Sequence, residues 1–158
     1  MHRHLLRVRY GDTDPMGFAY YANYLRWFEV GRAELMRSLG VSYRSIEEAG
    51  FSLPVLEAHC RYSKPARYDD LLAVETGVLE LARASVRFGY RVAREGEDEA
   101  LAVGWTAHCF IARDGRPVRP PAALAELLQR APRALIQGVH RSILGARGDG
   151  PPSEGTSG

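Results

Sequence analysis

The stretch from Tyr10 to Gly40, YGDTDPMGFAYYANYLRWFEVGRAELMRSLG, constrains the fold more than any other part of the chain. It reads as a short acidic loop running directly into one long, mostly apolar helix. Asp12, Asp14, Pro15 and Gly17 make the loop: proline fixes φ, glycine permits positive φ, and aspartate tolerates tight turns. From about Ala22 to Leu39, the residues Tyr24, Trp27, Phe28, Gly31, Leu35 and Leu39 recur at steps of three and four and share one helical face. Leu25, Val30, Ala33 and Met36 carry apolar character beyond that face, which predicts a central helix covered on several sides. Gly31 lets a neighbour approach closely, and Gly40 stands where a left-handed residue ends a helix. An acid in a loop at such a helix start lies beside free backbone N–H groups, which stabilise developing negative charge.

The elements around this stretch alternate. His2 to Tyr10 predicts a half-buried strand with Leu6, Val8 and Tyr10 on one side. A short helix over Val41 to Gly50 follows, with Ser42 as its cap. Strands are predicted over Phe51–Tyr62, Leu71–Leu81, Ser85–Arg94 and Ala100–Arg113, separated by turn-forming residues. Pro120-Pro121 opens a last short helix, Ala122 to Arg130. Ala134 to Leu144 fits either a helix or a packed extension. Consecutive alternating strands predict an antiparallel sheet, and one long apolar helix predicts a sheet that wraps it. The fold class is therefore α+β. Its exposed sheet edges favour pairing with a second copy.

A chain of 158 residues has the length of one domain and can build a core without disulfides or metal. Residues 1–144 form that domain, with a core over about 3–130, and 145–158 read as a solvated tail rich in glycine, proline and serine. The net charge of +2, with no basic run interleaved with aromatics, gives no reason to expect nucleic acid. The two cysteines, Cys60 and Cys109, lack metal-ligand spacing and fit a reducing compartment. No apolar run has the length of a signal peptide or a membrane span, so the expectation is a cytoplasmic protein without membrane insertion.

Two carboxylates, Asp12 and Asp14, precede the helix, and Phe18, Tyr20, Tyr21 and Tyr24 supply an apolar surround that excludes water. An acyl-transfer site needs a carboxylate base or nucleophile beside such donors. The pattern Tyr10-x-Asp12-Thr13-Asp14-Pro15-x-Gly17, then Tyr20-Tyr21-x-Asn23-Tyr24-x-x-Trp27-Phe28-Glu29, resembles the opening signature of the 4-hydroxybenzoyl-CoA thioesterase family. These are hotdog-fold acyl-CoA thioesterases, including the YbgC-like branch. A second block, Tyr62-x-Lys64-Pro65-Ala66-Arg67-Tyr68-Asp69-Asp70, is similar to the family's segment after its second strand.

The resemblance implies a hotdog fold, a curved five-stranded antiparallel sheet wrapped around the helix. It implies that Asp14 is the catalytic carboxylate, either attacking the thioester carbonyl or activating water, and that a backbone N–H near Tyr21 polarises the thioester oxygen. The YbgC-like branch typically has histidine at the position of Tyr21, so this chain is closer there to the hydroxybenzoyl-CoA branch. Tyr10, Gly17 and Tyr24 are expected at the substrate site. Lys64 and Arg67 are expected at the phosphates of coenzyme A, since a phosphate needs fixed cations and arginine offers a bidentate fork. Coenzyme A enters only as part of an acyl-CoA substrate; no other cofactor and no metal are implied. The functional unit implied is a homodimer or homotetramer with its site between subunits. Glu29 is expected to pair with Arg26 or Arg32, and His59 and His108 to be satisfied within the sheet. Two rival readings remain: a hotdog protein that binds acyl-CoA or acyl-carrier protein without hydrolysis, and a D-x-D phosphotransferase. Gly11 and Arg9 break the apolar run that the phosphotransferase requires.

Overall fold

The computed structural model describes residues 1–135. The tail predicted over 145–158, and all but the first two residues of the ambiguous 134–144 segment, lie outside them. The chain forms β1 (His2–Arg7), a 3-10 turn (Tyr10–Asp12), α1 (Asn23–Ser38), α2 (Tyr43–Glu48), β2 (Phe51–Ser52), β3 (Val55–Tyr62), β4 (Leu71–Leu81), β5 (Ser85–Arg94), β6 (Ala100–Cys109), β7 (Ile111–Ala112) and α3 (Ala122–Arg130). Five strands make one antiparallel sheet in the order β1-β4-β5-β6-β3, and β2 pairs with β7 in a second, two-stranded sheet.

Helix α1 lies on the inner face of the large sheet because the residues of its apolar face match that face in shape. Phe28 stacks on Tyr90 of β5, with ring centroids 4.4 Å apart and planes 6° from parallel. Gly104 of β6 makes room for Phe28; a Cβ there would stand 2.5 Å from the phenyl ring. Tyr24, Phe28, Leu35, Met36, Leu72, Val74, Val78, Phe88, Tyr90 and Leu101 are all buried in one continuous core. The helix ends as the sequence predicts. Gly40 adopts φ +79°, and the N–H of Val41 reaches back to the carbonyl of Met36 at 3.0 Å, closing a Schellman motif. Ser42 caps α2, accepting the N–H of Ser45 at 3.0 Å while the Ser45 hydroxyl accepts the N–H of Ser42.

Four expectations are corrected. The predicted strand Phe51–Tyr62 is two strands. Leu53-Pro54 divides them, since proline cannot donate to the ladder, and Pro54 instead accepts the N–H of Cys109 at 3.3 Å. The strand predicted to Arg113 also breaks, at Phe110, whose side chain is fully buried while β7 turns away to meet β2. The first strand stops at Arg7, so Tyr10 leaves the sheet and is 80% exposed rather than buried beside Leu6 and Val8. Finally, α1 is covered by the sheet on one side only. Leu25 and Val30 on its outer side remain 40% and 37% exposed in the single chain. No helix among the described residues is long and apolar enough to cross a membrane.

Candidate active site

The two acids of the loop have different environments. Asp12 is 4% exposed. Its Oδ1 accepts from Arg9 Nη2 at 3.0 Å, and its Oδ2 accepts from Arg9 Nε at 3.2 Å and the Arg9 N–H at 2.9 Å. Burial alone would push its carboxyl pKa up, but the Arg9 bonds and charge outweigh that and hold it below the usual carboxylate range. Asp12 is thus an anchored structural acid. Asp14 is half-buried and spends only one oxygen on the loop: its Oδ1 accepts the N–H of Met16 at 2.9 Å and that of Phe18 at 3.3 Å. Gly17 at φ +76° closes this turn, and its N–H bonds to the Asp14 carbonyl at 2.9 Å. Among the described residues Asp14 Oδ2 has no donor. Asp14 lines a pocket of about 320 Å³ together with Met16, Phe18, Ala19, Tyr21, Tyr24, Tyr62, Ser63, Lys64 and Pro65.

The start of α1 forms another wall of this pocket. Asn23 Nδ2, buried, donates to the Asp12 carbonyl at 2.8 Å, and the Tyr20 N–H donates to the same oxygen at 2.8 Å. These bonds weld the acidic loop to the helix. The Asn23 N–H donates to the Tyr20 carbonyl at 2.9 Å, but no side chain caps the helix. Among the described residues, the N–H groups of Tyr21 and Ala22 meet no acceptor. The pocket is therefore lined by an acid with an uncommitted oxygen and lies beside a helix start with uncommitted donors.

The remaining predicted residues are distributed unevenly. Tyr24 is buried in the pocket wall, and its hydroxyl accepts the N–H of Ala66 at 2.9 Å, tying the second sequence block to α1. Burial raises its phenol pKa. Gly17 shapes the loop without lining the pocket, and Tyr10 stands outside it, edge-on to Tyr68 with centroids 5.7 Å apart. Lys64 is at the pocket, where its Nζ meets Glu99 at 2.5 Å. The Arg67 guanidinium lies 4.9 Å from the centre of the Phe18 ring, just behind the lining. Asp70 Oδ2 accepts the Arg67 backbone N–H at 2.8 Å, but its ion pair is with the Arg94 guanidinium at 2.9 Å and not with that of Arg67.

Asn23, Arg9 and Tyr62 are the parts of the site that the sequence reading passes over. Only the fold brings Tyr62, at the end of β3, to the Tyr21 carbonyl, where its hydroxyl donates at 3.1 Å. A second, larger groove of about 620 Å³ lies at the other end of β4, lined by Arg83, Arg119 and Arg133 together with Leu79, Glu80 and Pro120. Glu80 is paired there with Arg87, and Arg133 donates to the Leu79 carbonyl at 2.6 Å.

Deep in the core, the expected ion pair of Glu29 with Arg26 or Arg32 does not form among the described residues. Arg32 is 9% exposed and turns inward onto His108 Nε2, which also meets Thr106 Oγ1 at 2.8 Å. Burial, reinforced by the Arg32 charge, lowers the His108 pKa to about 4, so the ring is neutral. Its Nδ1 lies 3.2 Å from the Leu53 carbonyl, a bond that fixes the proton on that nitrogen. His108 is a satisfied sheet histidine, as expected. His59 stacks on Trp105 on the outer side of the sheet. Among the described residues no group of three or more His, Cys, Asp or Glu could hold a metal ion.

A family model described as the Thioesterase-like superfamily matches residues 8–128. A protein of Aquifex aeolicus, provisionally named an esterase, is 37% identical over 123 residues, which span 78% of this chain and 94% of that one. The acyl-CoA thioesterase YbgC of Haemophilus influenzae is 39% identical over 90 residues, 56% of this chain and 66% of that one. Among solved structures, a DHNA-CoA thioesterase from Staphylococcus aureus superposes with a TM-score of 0.70 at 32% identity, over 74% of this chain and 78% of that one. Sequence match and sheet-on-helix architecture agree: the chain belongs to the thioesterase-like superfamily of hotdog proteins.

Proposed function

We propose that this protein hydrolyses a small acyl- or aryl-CoA thioester to the free acid and coenzyme A, with Asp14 as its catalytic carboxylate. The observation that carries this reading is the shared pocket. One Asp14 oxygen is committed to the loop, which fixes the carboxylate, the other has no donor among the described residues, and Asp14 lines the same pocket as Tyr21 and Tyr24 at the uncapped start of α1. A thioester carbonyl placed there would accept from the N–H groups near Tyr21 while its carbon met Asp14. Asp14 then either attacks that carbon, expelling the thiolate and leaving a mixed anhydride for water to open, or removes a proton from an attacking water. Both routes end in acid and thiol. The activities named for the relatives support the same reaction class.

Tyr24 and Gly17 shape this site, Tyr24 as pocket wall and Gly17 as the turn that aims Asp14. Tyr10 would join it only from outside the pocket, through Tyr68. Lys64, at the pocket, and Arg67, beside it on the Phe18 ring, are assigned to the phosphates of coenzyme A. The working unit is a homodimer or homotetramer: β3 is an edge strand on which Val55, Leu56 and Tyr62 are exposed, which suits strand pairing with a second copy. Acid and oxyanion donors placed together favour catalysis over mere binding of the thioester.

The test is Asp14→Asn, which keeps the loop hydrogen bonds but removes the charge. Hydrolysis across a panel of acyl-CoA esters should fall by roughly 10²–10⁴-fold with the fold intact. Near-normal turnover would remove Asp14 from this role.

A further inference from the structure

The two uncommitted N–H groups at the start of α1 belong to two successive peptide planes. The Tyr21 N–H lies in the Tyr20–Tyr21 plane, whose carbonyl accepts the Asn23 N–H at 2.9 Å. The Ala22 N–H lies in the Tyr21–Ala22 plane. The Tyr21 carbonyl of that plane accepts the Tyr24 N–H at a long 3.3 Å, and accepts the Tyr62 hydroxyl at 3.1 Å. A peptide is rigid, so holding its carbonyl also sets the direction of its N–H. Helix α1 holds the first plane with a bond of 2.9 Å, whereas the second has only a long helical bond and is held in addition by a bond from the sheet.

We propose that Tyr62 is a positioning residue for the thioester reaction, its hydroxyl fixing and polarising the Tyr21–Ala22 peptide so that the free N–H of that peptide, beside the one of Tyr21, faces the substrate carbonyl. The inference rests on the hydrolytic reading above. Further features fit it. The Tyr62 ring is braced edge-on against Tyr24, centroids 5.1 Å apart and planes at 84°, so the hydroxyl is not free to swing. Tyr24 is itself fixed by the Ala66 N–H. Partial burial raises the Tyr62 phenol pKa, which keeps it a donor at any working pH. Hydrogen bonding at a carbonyl also makes the N–H of the same peptide a stronger donor. Tyr62 ends edge strand β3 and is 44% exposed, so the bond also links the sheet edge to the reacting end of the helix.

The experiment is Tyr62→Phe, which keeps the ring and its packing on Tyr24 and deletes only the hydroxyl. Using the best acyl-CoA ester from the panel, kcat should fall about tenfold with KM changed less than about twofold, a smaller loss than the 10²–10³ for deleting an oxyanion donor outright. The second readout uses the matching ketone analogue, with a methylene between carbonyl and sulfur and carbon-13 in the carbonyl. Binding to the wild-type protein should lower its infrared carbonyl stretch, and Tyr62→Phe should lose a large part of that lowering. A role confined to stability would move the melting temperature but not the stretch. An unchanged stretch, or kcat within twofold of wild type, would overturn the proposal. If Asp14→Asn has abolished turnover, only the role of Tyr62 falls; if Asp14→Asn turns over normally, the reading beneath it falls instead.

Discussion

Gly31→Ala sets two ordinary rules against each other, and the packing decides between them. In an exposed helix interior, alanine is favoured over glycine by about 1 kcal/mol. At position 31 a Cβ would stand 2.5 Å from Thr76 Oγ1 and 2.7 Å from Val74 Cγ1. Both side chains are fully buried on β4, which is held between β1 and β5, so neither can swing aside. Overpacking of this kind costs about 1–3 kcal/mol, and two contacts this close place the cost in the upper half of that range. The net expectation is a loss of about 1–2 kcal/mol. A 150-residue domain loses roughly 2–4 °C in melting temperature per kcal/mol. Urea denaturation followed by circular dichroism measures the loss directly. The matched variant Thr76→Ala removes the nearer obstacle, so the double variant should be more stable than the sum of the singles by about 0.5 kcal/mol or more. A Gly31→Ala protein as stable as wild type, or strictly additive singles, would refute the idea that α1 is seated against β4 at this glycine.

Two further outcomes follow from the site and the core. Lys64→Ala combined with Arg67→Ala should raise KM for CoA esters about tenfold while leaving N-acetylcysteamine esters unchanged, since both cations are exposed and two exposed charge contacts of up to about 1 kcal/mol each come close to the roughly 1.4 kcal/mol of a tenfold change. Arg83→Ala with Arg119→Ala is the comparison, and an effect confined to that pair would move the nucleotide end to the far groove. His108 should make stability pH-dependent. Its pKa is lowered from 6.5 to about 4 in the folded protein, so the unfolded chain binds the extra proton between those values. The contribution is whole above pH 6.5 and is lost as pH falls toward 4, about 3 kcal/mol in all. His108→Gln should flatten this part of the pH–stability curve measured by urea denaturation; an unchanged curve would mean that His108 does not carry it.

Much of the architecture was legible from local pattern. The 3.6-residue periodicity of Tyr24, Phe28, Gly31 and Leu35, the Gly40 stop, the Ser42 cap and the period-two strands each depend on neighbours within a few residues. Pro54 was also visible as a strand breaker, and weighing it would have divided Phe51–Tyr62 correctly. The sequence by itself therefore determined the α+β class, the acid loop before the central helix, and through the two motif blocks the family.

Only the tertiary structure decided which atoms of that loop are free. Nothing in the spacing of Asp12 and Asp14 says that Arg9 occupies one and leaves an oxygen of the other uncommitted. Nor does it say that Asn23 welds loop to helix, or that Tyr62, 41 residues away, holds the Tyr21 carbonyl. It also could not show that Tyr10 faces outward, or that Arg83, Arg119 and Arg133 share a groove. The physical reason is that periodicity and capping are written in adjacent residues, whereas hydrogen bonds between distant segments exist only once strand register and helix seating have set which groups meet.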